Sequence, residues 1–233
     1  MAQRYFVTST GTGVGKTYVT AALIRQARAK GLTVAATKPL ISGFDKSEIA
    51  TSDTGLILAA LGEAPTLEAA ERLSPWRFKA PLAPSMAARA EGRCVDCEAL
   101  FAHGRQFLEG NADLMLIEGV GGVMVPLDEQ RTVLDWICAL DAPVLLVVGD
   151  YLGTISHTLT AVEVLRARGA RLAAVIVNEG EGGDVPFDAT LAEIAGWVAP
   201  VPVFGLRRNA DGQALTPLLS GKRFRALLDD QGG

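Results

Sequence analysis

The chain has 233 residues, a formal net charge of −4 and 49% hydrophobic residues, with a pI near 5.3 and a mean hydropathy of +0.25. A chain of this length buries roughly 70% of its unfolded surface, so it needs no disulfide or metal staple, and its balance is that of one well-cored globular domain. The acidic balance carries no run of like charges, which argues against nucleic acid as a partner, and no apolar stretch approaches the ~20 residues that span a bilayer.

The first residues lead almost directly into a strand pattern at Tyr5–Thr8, so no signal peptide is expected and the expected setting is cytoplasmic. Ser9-Thr10-Gly11-Thr12-Gly13-Val14-Gly15-Lys16-Thr17 follows, and then a helical pattern over Thr17–Lys30. Strand, glycine-rich loop and helix in that order make a phosphate cradle. Gly11, Gly13 and Gly15 allow positive φ and close approach of the backbone to a ligand. The loop amides and the helix N-terminus, from Gly13 and Val14 to Tyr18, then face an anion. Lys16 is expected to reach the β- and γ-phosphates, and the Thr17 hydroxyl to ligate Mg²⁺. Thr10 stands where the strict spacing has a glycine.

Gly31 sits at a helix C-cap, and a strand is expected at Val34–Thr37. It ends on Lys38-Pro39-Leu40-Ile41-Ser42-Gly43. Pro39 makes the position of Lys38 rigid, and a second lysine at the same phosphates suggests a developing anion to neutralise. The segment Ser42–Leu108 holds Pro65, Pro75, Pro81 and Pro84 and helical patterns at Asp53–Leu61, Pro84–Ala90 and Asp96–Leu108. It reads as a helical insertion over the active face, within a single domain spanning 1–233. Asp53 opens its helix, so an N-cap role and a Mg²⁺ ligand role stand equally. Cys94 and Cys97 have half-site spacing, but no second pair exists and the only histidines are His103 and His157. Zinc takes four ligands, so these two and Cys138 read as incidental thiols.

A third strand, Leu114–Ile117, ends on Glu118-Gly119-Val120-Gly121-Gly122, which places a carboxylate near Mg²⁺ and leaves room for phosphate. A helix is expected over Thr132–Leu140. The strand Val144–Val148 leads to Gly149-Asp150 and then Leu152–His157. The amides of Gly153, Thr154, Ile155 and Ser156 start a helix running to Arg168, capped by Gly169, and would suit a substrate carboxylate. His157 reads as structural. The strand Leu172–Val177 ends on Asn178, and a flexible loop over Glu179–Asp184 precedes a helix at Phe187–Val198 and a strand at Val201–Phe204. A last helix is expected at Ser220–Leu228, followed by a loose C-terminal end. Strands rich in Val, Ile and Leu without polar alternation predict an α/β fold whose mostly parallel central sheet has helices on both faces. The polar candidates all follow strand ends, where such sheets bind ligands.

Together these residues resemble the dethiobiotin synthetase family, P-loop enzymes of biotin synthesis. The resemblance rests on the loop to Gly15-Lys16-Thr17, Lys38-Pro39-x-x-Ser42-Gly43, Pro81-Leu82-Ala83-Pro84, Glu118-Gly119-x-Gly121-Gly122, Leu152-Gly153-x-Ile155-x-His157 and Asn178, and covers nearly the whole chain. It implies ATP and Mg²⁺ as cofactors, and 7,8-diaminopelargonic acid with CO₂ as substrates. It implies Lys38 on the carbamate and transferring phosphoryl group, and Lys16 on the phosphates. Thr17, Asp53 and Glu118 would bind Mg²⁺, with Thr12 and Ser42 positioning phosphate and substrate. The nucleotide would further meet Gly119, Val120 and Gly121, with Asn178 reading adenine and Glu179, Leu206, Arg207 and Arg208 near the base. A homodimer is implied, with Gly153–Ser156 of one subunit holding the substrate carboxylate in the other's site.

The chain departs from the family pattern at Ser9, Gly11, Gly13 and Ser156, and Gly205-Leu206-Arg207-Arg208 replaces a Gly-x-(Ile/Leu)-Pro segment. Two other readings compete: a partitioning-type ATPase switch, whose loop has a lysine where Gly11 stands, and a cofactor-synthesis amidoligase, which needs a glutaminase partner.

Overall fold

The central strands are apolar throughout because helices cover both sides of the sheet. The computed structural model describes residues 2–182 and 185–220. In chain order the elements are β1 (Gln3–Ser9), α1 (Lys16–Ala29), β2 (Val34–Thr37), β3 (Leu40–Ser42), α2 (Asp53–Leu61), α3 (Leu67–Leu73), β4 (Trp76–Phe78), α4 (Pro84–Ala90), α5 (Cys97–Leu108), β5 (Leu114–Glu118), α6 (Val133–Leu140), β6 (Val144–Val148), α7 (Thr154–Ala167), β7 (Leu172–Asn178), α8 (Phe187–Val198) and β8 (Val203–Leu206). Short 3-10 turns occupy Ile49–Thr51 and Gln213–Leu219. Six strands form one sheet in the order β2-β5-β1-β6-β7-β8. Every pairing in it is parallel.

The pleat sends alternate residues to two separate layers. Phe6, Ile117, Leu146 and Val175 pack with Leu100, Trp136, Val162 and Ile194 from α5, α6, α7 and α8. Tyr5, Leu116, Val147 and Ile176 pack with Leu23, Ile24, Ile57 and Leu58 from α1 and α2. Each large apolar side chain stabilises the fold by roughly 1.5–3 kcal/mol on burial, so a polar residue in a central strand needs another reason. Ser9, Glu118 and Asn178 are such buried polar residues, and each is the last residue of its strand.

Gly31 and Gly169 follow α1 and α7 with φ of 75° and 67°, as their expected capping role requires. β8 lies two residues later than expected, because Val203–Leu206 pairs with Val175–Asn178. The segment 42–108 is not purely helical. β3 and β4 pair in parallel as a small second sheet, continued by Gly43 N donating to Ala80 O at 3.0 Å and Phe44 N to Phe78 O at 2.9 Å. Three-residue strands carry too little periodicity to be read from sequence. α3 was also unexpected; Thr66 caps it by accepting from Ala69 N.

The start of α2 corrects the reading of Asp53. Ser52 is the cap, its Oγ accepting from Gly55 N at 3.1 Å, and Asp53 is the first helical residue. Gly55 lies so near the preceding turn that a Cβ there would come 1.9 Å from Ile49 O. No described helix is long and apolar enough to cross a membrane. The helix expected from Ser220 and the C-terminal end fall, beyond Ser220 itself, outside the described residues, as do residues 183–184 of the expected loop.

Candidate active site

The carboxyl ends of β1, β2 and β5 converge on one cleft of about 630 Å³, lined among others by Thr12, Lys16, Thr17, Lys38, Ser42 and Asp53. Gly13, Gly15, Tyr18, Val120 and Gly121 also line it. The phosphate loop folds as expected at Gly13 and Gly15, with φ of 78° and 91°, whereas Gly11 is not among the positive-φ glycines. Gly11 therefore contributes openness and not a left-handed turn; a Cβ there would meet nothing within 4 Å. Gly15 is more constrained, since its Cβ would lie 2.2 Å from Asn178 Nδ2. α1 begins with no side-chain cap, so its first amides remain turned to the loop.

Three charged groups meet in the cleft. Lys38 Nζ donates to Glu118 Oε1 at 2.7 Å and pairs with Asp53 Oδ2 at 2.9 Å. The Thr17 hydroxyl donates to the same Glu118 Oε1 at 2.6 Å. Lys38 and Glu118 are almost fully buried, while the Asp53 side chain is half-exposed. Burial alone would lower the Lys38 pKa, but the Glu118 and Asp53 carboxylates outweigh it and raise it. Burial likewise would raise the Asp53 pKa, and the Lys38 ammonium reverses this and holds it below the usual carboxylate range. Lys16 has no such carboxylate contact. Burial, reinforced by the Lys38 charge, brings its pKa down to about 8.

Lys16 Nζ donates to Ser9 Oγ at 3.0 Å, and Ser9 Oγ is also 2.9 Å from Gly121 O. Ser9 thus joins the phosphate loop to the Glu118–Gly122 loop, which the sequence registered only as a departure. The two loops also touch directly: a Cβ at Gly122 would be 3.0 Å from Thr10 O. A Cβ at Gly119 would likewise fall 2.8 Å from the Phe6 ring.

Asn178 lies beside a second opening of about 430 Å³ on the other flank of the phosphate loop, with Gly13, Val14, Asp150 and Gly180. Its Nδ2 donates to Val14 O at 3.2 Å, and its buried Oδ1 has no hydrogen-bond partner. Asp150, which the sequence placed at a strand end without a role, accepts from Gly180 N at 2.8 Å and holds the segment after Asn178.

The remaining candidates stand apart. Leu206 is buried in the core, and its carbonyl accepts from Glu179 N. Arg207 lies over the Phe187 ring and pairs with Asp188 and Glu179. Arg208 pairs with Glu181. Gly153, the positive-φ cap of α7, leads into Thr154, Ile155 and Ser156. None of these four lines the large cleft of its own chain. Thr154 turns inward to donate to Gly149 O. His157 gains a partner not foreseen from sequence, the Tyr151 hydroxyl, 2.8 Å from its Nδ1.

The donor set suits Mg²⁺. Two carboxylates and a hydroxyl are hard oxygen ligands, and Mg²⁺ usually takes only one or two carboxylates besides water and phosphate oxygens. Glu118 Oε2 is buried without a hydrogen-bond partner, as a reserved ligand oxygen would be. The three cysteines form no disulfide, and no group of three or more His, Cys, Asp or Glu side chains that could hold a metal ion occurs among the described residues.

Residues 3–205 match the family model described as an AAA domain. The ATP-dependent dethiobiotin synthetase of Acidiphilium cryptum (strain JF-5) is 47% identical over 203 residues, covering 86% of this chain and 91% of the relative. That of Phenylobacterium zucineum (strain HLK1) is 46% identical over 225 residues, covering 94% and 96%. Among solved structures, chloroplast FtsY of Physcomitrella patens matches with a TM-score of 0.55 at 14% identity, covering 94% of this chain and 65% of that one. The septum site-determining protein MinD of Pyrococcus horikoshii OT3, complexed with Mg-ADP, matches with a TM-score of 0.52 at 17% identity, covering 94% and 95%. These two share the fold alone, so the likeness to a cell-division ATPase carries no function. With relatives 46–47% identical over most of both chains, this chain belongs to the ATP-dependent dethiobiotin synthetase family.

Proposed function

We propose that the chain uses ATP to join CO₂ to 7,8-diaminopelargonic acid and close the ureido ring of dethiobiotin, releasing ADP and phosphate. One amine adds to CO₂ and loses a proton, giving a carbamate. A carbamate oxygen attacks the γ-phosphorus and ADP leaves, giving a carbamic–phosphoric anhydride. The second amine attacks the carbonyl and phosphate departs. The observation that carries this reading is a second buried lysine, Lys38, in the same cleft as Lys16. Such charge suits a carbamate and a phosphoryl group that both gather negative charge.

In this reading Thr17, Asp53 and Glu118 hold Mg²⁺, which neutralises phosphate charge when bound. Lys16 and the amides from Gly13 to Tyr18 hold the polyphosphate, and Thr12 and Ser42 orient phosphate and substrate. Gly119, Val120 and Gly121 give the phosphates room. The orphaned Oδ1 of Asn178 accepts from the adenine amino group, with Glu179, Leu206, Arg207 and Arg208 bordering the base. We assign Gly153, Thr154, Ile155 and Ser156 to the substrate carboxylate in the site of a second subunit. Their position outside their own cleft supports that assignment. So do the exposed apolar side chains of Met124 and Leu152, which suit a contact between copies. The three free cysteines accord with a reducing cytoplasm. Neither a membrane nor a nucleic acid has a role in this reading.

The test is phosphate release from MgATP with diaminopelargonic acid and bicarbonate, each omitted in turn, with the product identified by mass. Release that needs both, with dethiobiotin formed, is expected. Release without the diamine, or only with ammonia or a protein partner, would exclude the synthetase.

A further inference from the structure

We propose that the Lys38 ammonium and a divalent cation are alternative occupants of one oxygen cage, so that metal binding frees Lys38 for the reacting groups. The proposal rests on the assignment of Thr17, Asp53 and Glu118 to Mg²⁺. Two of those three side chains, Asp53 and Glu118, already hold a cation, and the cation is Lys38. Its Nζ lies 2.7 Å from Glu118 Oε1 and 2.9 Å from Asp53 Oδ2. The Thr17 hydroxyl spends its proton on the same Glu118 oxygen. A hydroxyl whose oxygen ligates Mg²⁺ and an ammonium touching both carboxylates compete for one small volume, because Mg²⁺ takes its oxygens at about 2.0–2.1 Å.

Charge favours the exchange. Two carboxylates with one ammonium leave a net negative cage, and a dication completes it. Glu118 Oε2, buried and without a partner, is the oxygen that the ammonium does not satisfy. Lys38 can move because only its backbone is fixed, by the strand before it and Pro39 after it, while its stem is a flexible four-carbon chain. The cleft beyond it is lined by Ser42, Gly13 and Lys16, where polyphosphate and carbamate are assigned. In the free protein Lys38 therefore preassembles the metal ligands and is itself held back from chemistry.

The closing experiment titrates Mn²⁺ into the nucleotide-free protein and its variants, reading bound metal by electron paramagnetic resonance. Lys38→Met is expected to bind Mn²⁺ about tenfold more tightly than the unaltered chain or better, and Lys16→Met to gain markedly less, since Lys16 lends only a distant field. Adding Asp53→Asn to Lys38→Met should abolish the gain. An equal gain in both lysine variants, no gain in a folded Lys38→Met, or a gain that survives Asp53→Asn would each overturn the exchange.

Should Lys38→Met fail to fold, the unaltered protein decides. Acylation of Lys38, read by mass spectrometry, is expected to rise several-fold when saturating Mg²⁺ is added to the ADP complex. Unchanged labelling would overturn the proposal. None of these readouts uses the diamine or bicarbonate, so a failed exchange leaves the synthetase reading standing, and a failed product assay leaves the exchange standing.

Discussion

Lys38 Nζ and Thr17 Oγ1 both donate to a single oxygen, Glu118 Oε1, at 2.7 and 2.6 Å. One carboxylate thereby ties the phosphate-loop helix to the end of β2. Removing Lys38 breaks this tie where it is fully buried. Lys38→Ala is expected to keep ATP binding while kcat falls by about 10²–10³, the scale of a lost transition-state charge contact. It should also cost about 3–5 kcal/mol of stability, since Glu118 is left as an unpaired buried charge. Equilibrium dialysis with ATP, single-turnover kinetics and denaturant melts measure the three effects. Near-normal turnover would remove Lys38 from the chemistry.

Lys16 differs because burial acts on it without a carboxylate contact. With its pKa down to about 8, the lysine proposed to hold the phosphates loses its charge in the free enzyme as pH rises through that value. The kcat/KM for ATP should therefore decline on the alkaline side from about pH 8. Lys16→Ala should weaken both ATP binding and turnover and remove that limb. An ATP affinity unchanged by the substitution would count against the phosphate-loop assignment.

Asp53 is half-exposed, so its pairing with Lys38 is screened. Asp53→Asn should cost about 1 kcal/mol or less at neutral pH. The sign of its linkage is fixed by its depressed pKa. The contribution is present above the ordinary carboxylate value and is lost as pH falls through the lower folded value. Urea melts of both proteins from pH 7 down to pH 3 should converge. The functional loss should be larger, as a raised Mg²⁺ requirement for turnover.

Gly15→Ala tests the packing of the phosphate loop against Asn178. The new methyl would fall 2.2 Å from Asn178 Nδ2 in a backbone with φ of 91°, so either the loop or Asn178 must move. KM for ATP is expected to rise at least about tenfold, with a lower melting temperature. A variant with unaltered KM would show that Asn178 is not held against the loop.

Cys97 is buried, and burial with a hydrogen bond to Asp128 pushes its thiol up to about 12. Cys94 is exposed. Iodoacetamide at neutral pH should modify Cys94 and spare Cys97 in the folded protein, and Ser at both positions should leave turnover intact. A large loss of activity would revive a thiol role.

The parallel core and its six main strands were legible because a buried strand must be apolar on both faces, as Leu114–Ile117 and Val144–Val148 are. The candidate site residues stand out for the converse reason. Lys38, Glu118 and Asn178 interrupt apolar strand ends, where a polar group has a cost that the fold alone does not explain. What stayed hidden depends on partners distant in sequence. Ser52 and Asp53 are both capping residue types, and only the pairing of Asp53 with the distant Lys38 tells which of them is free of the cap. The link from Ser9 to Gly121 spans 112 positions, and a hydroxyl facing the loop lysine was the sole clue to it. β3 and β4 are set by pairing with each other, which three residues apiece do not encode.

Gly55 acts as a spacer for the end of the cleft where Asp53 meets Lys38. Because it presents only hydrogen to Ile49 O, α2 rests on the carbonyl of the turn before it. Asp53, two residues earlier on the same rigid helix, has its height above Lys38 set by that seat. Any side chain at position 55 would lift the first turn and carry the carboxylate away from its cation without touching either group. The position of that carboxylate is thus gauged by backbone-to-backbone clearance, a tolerance that neither charge nor side-chain length at the site can restore.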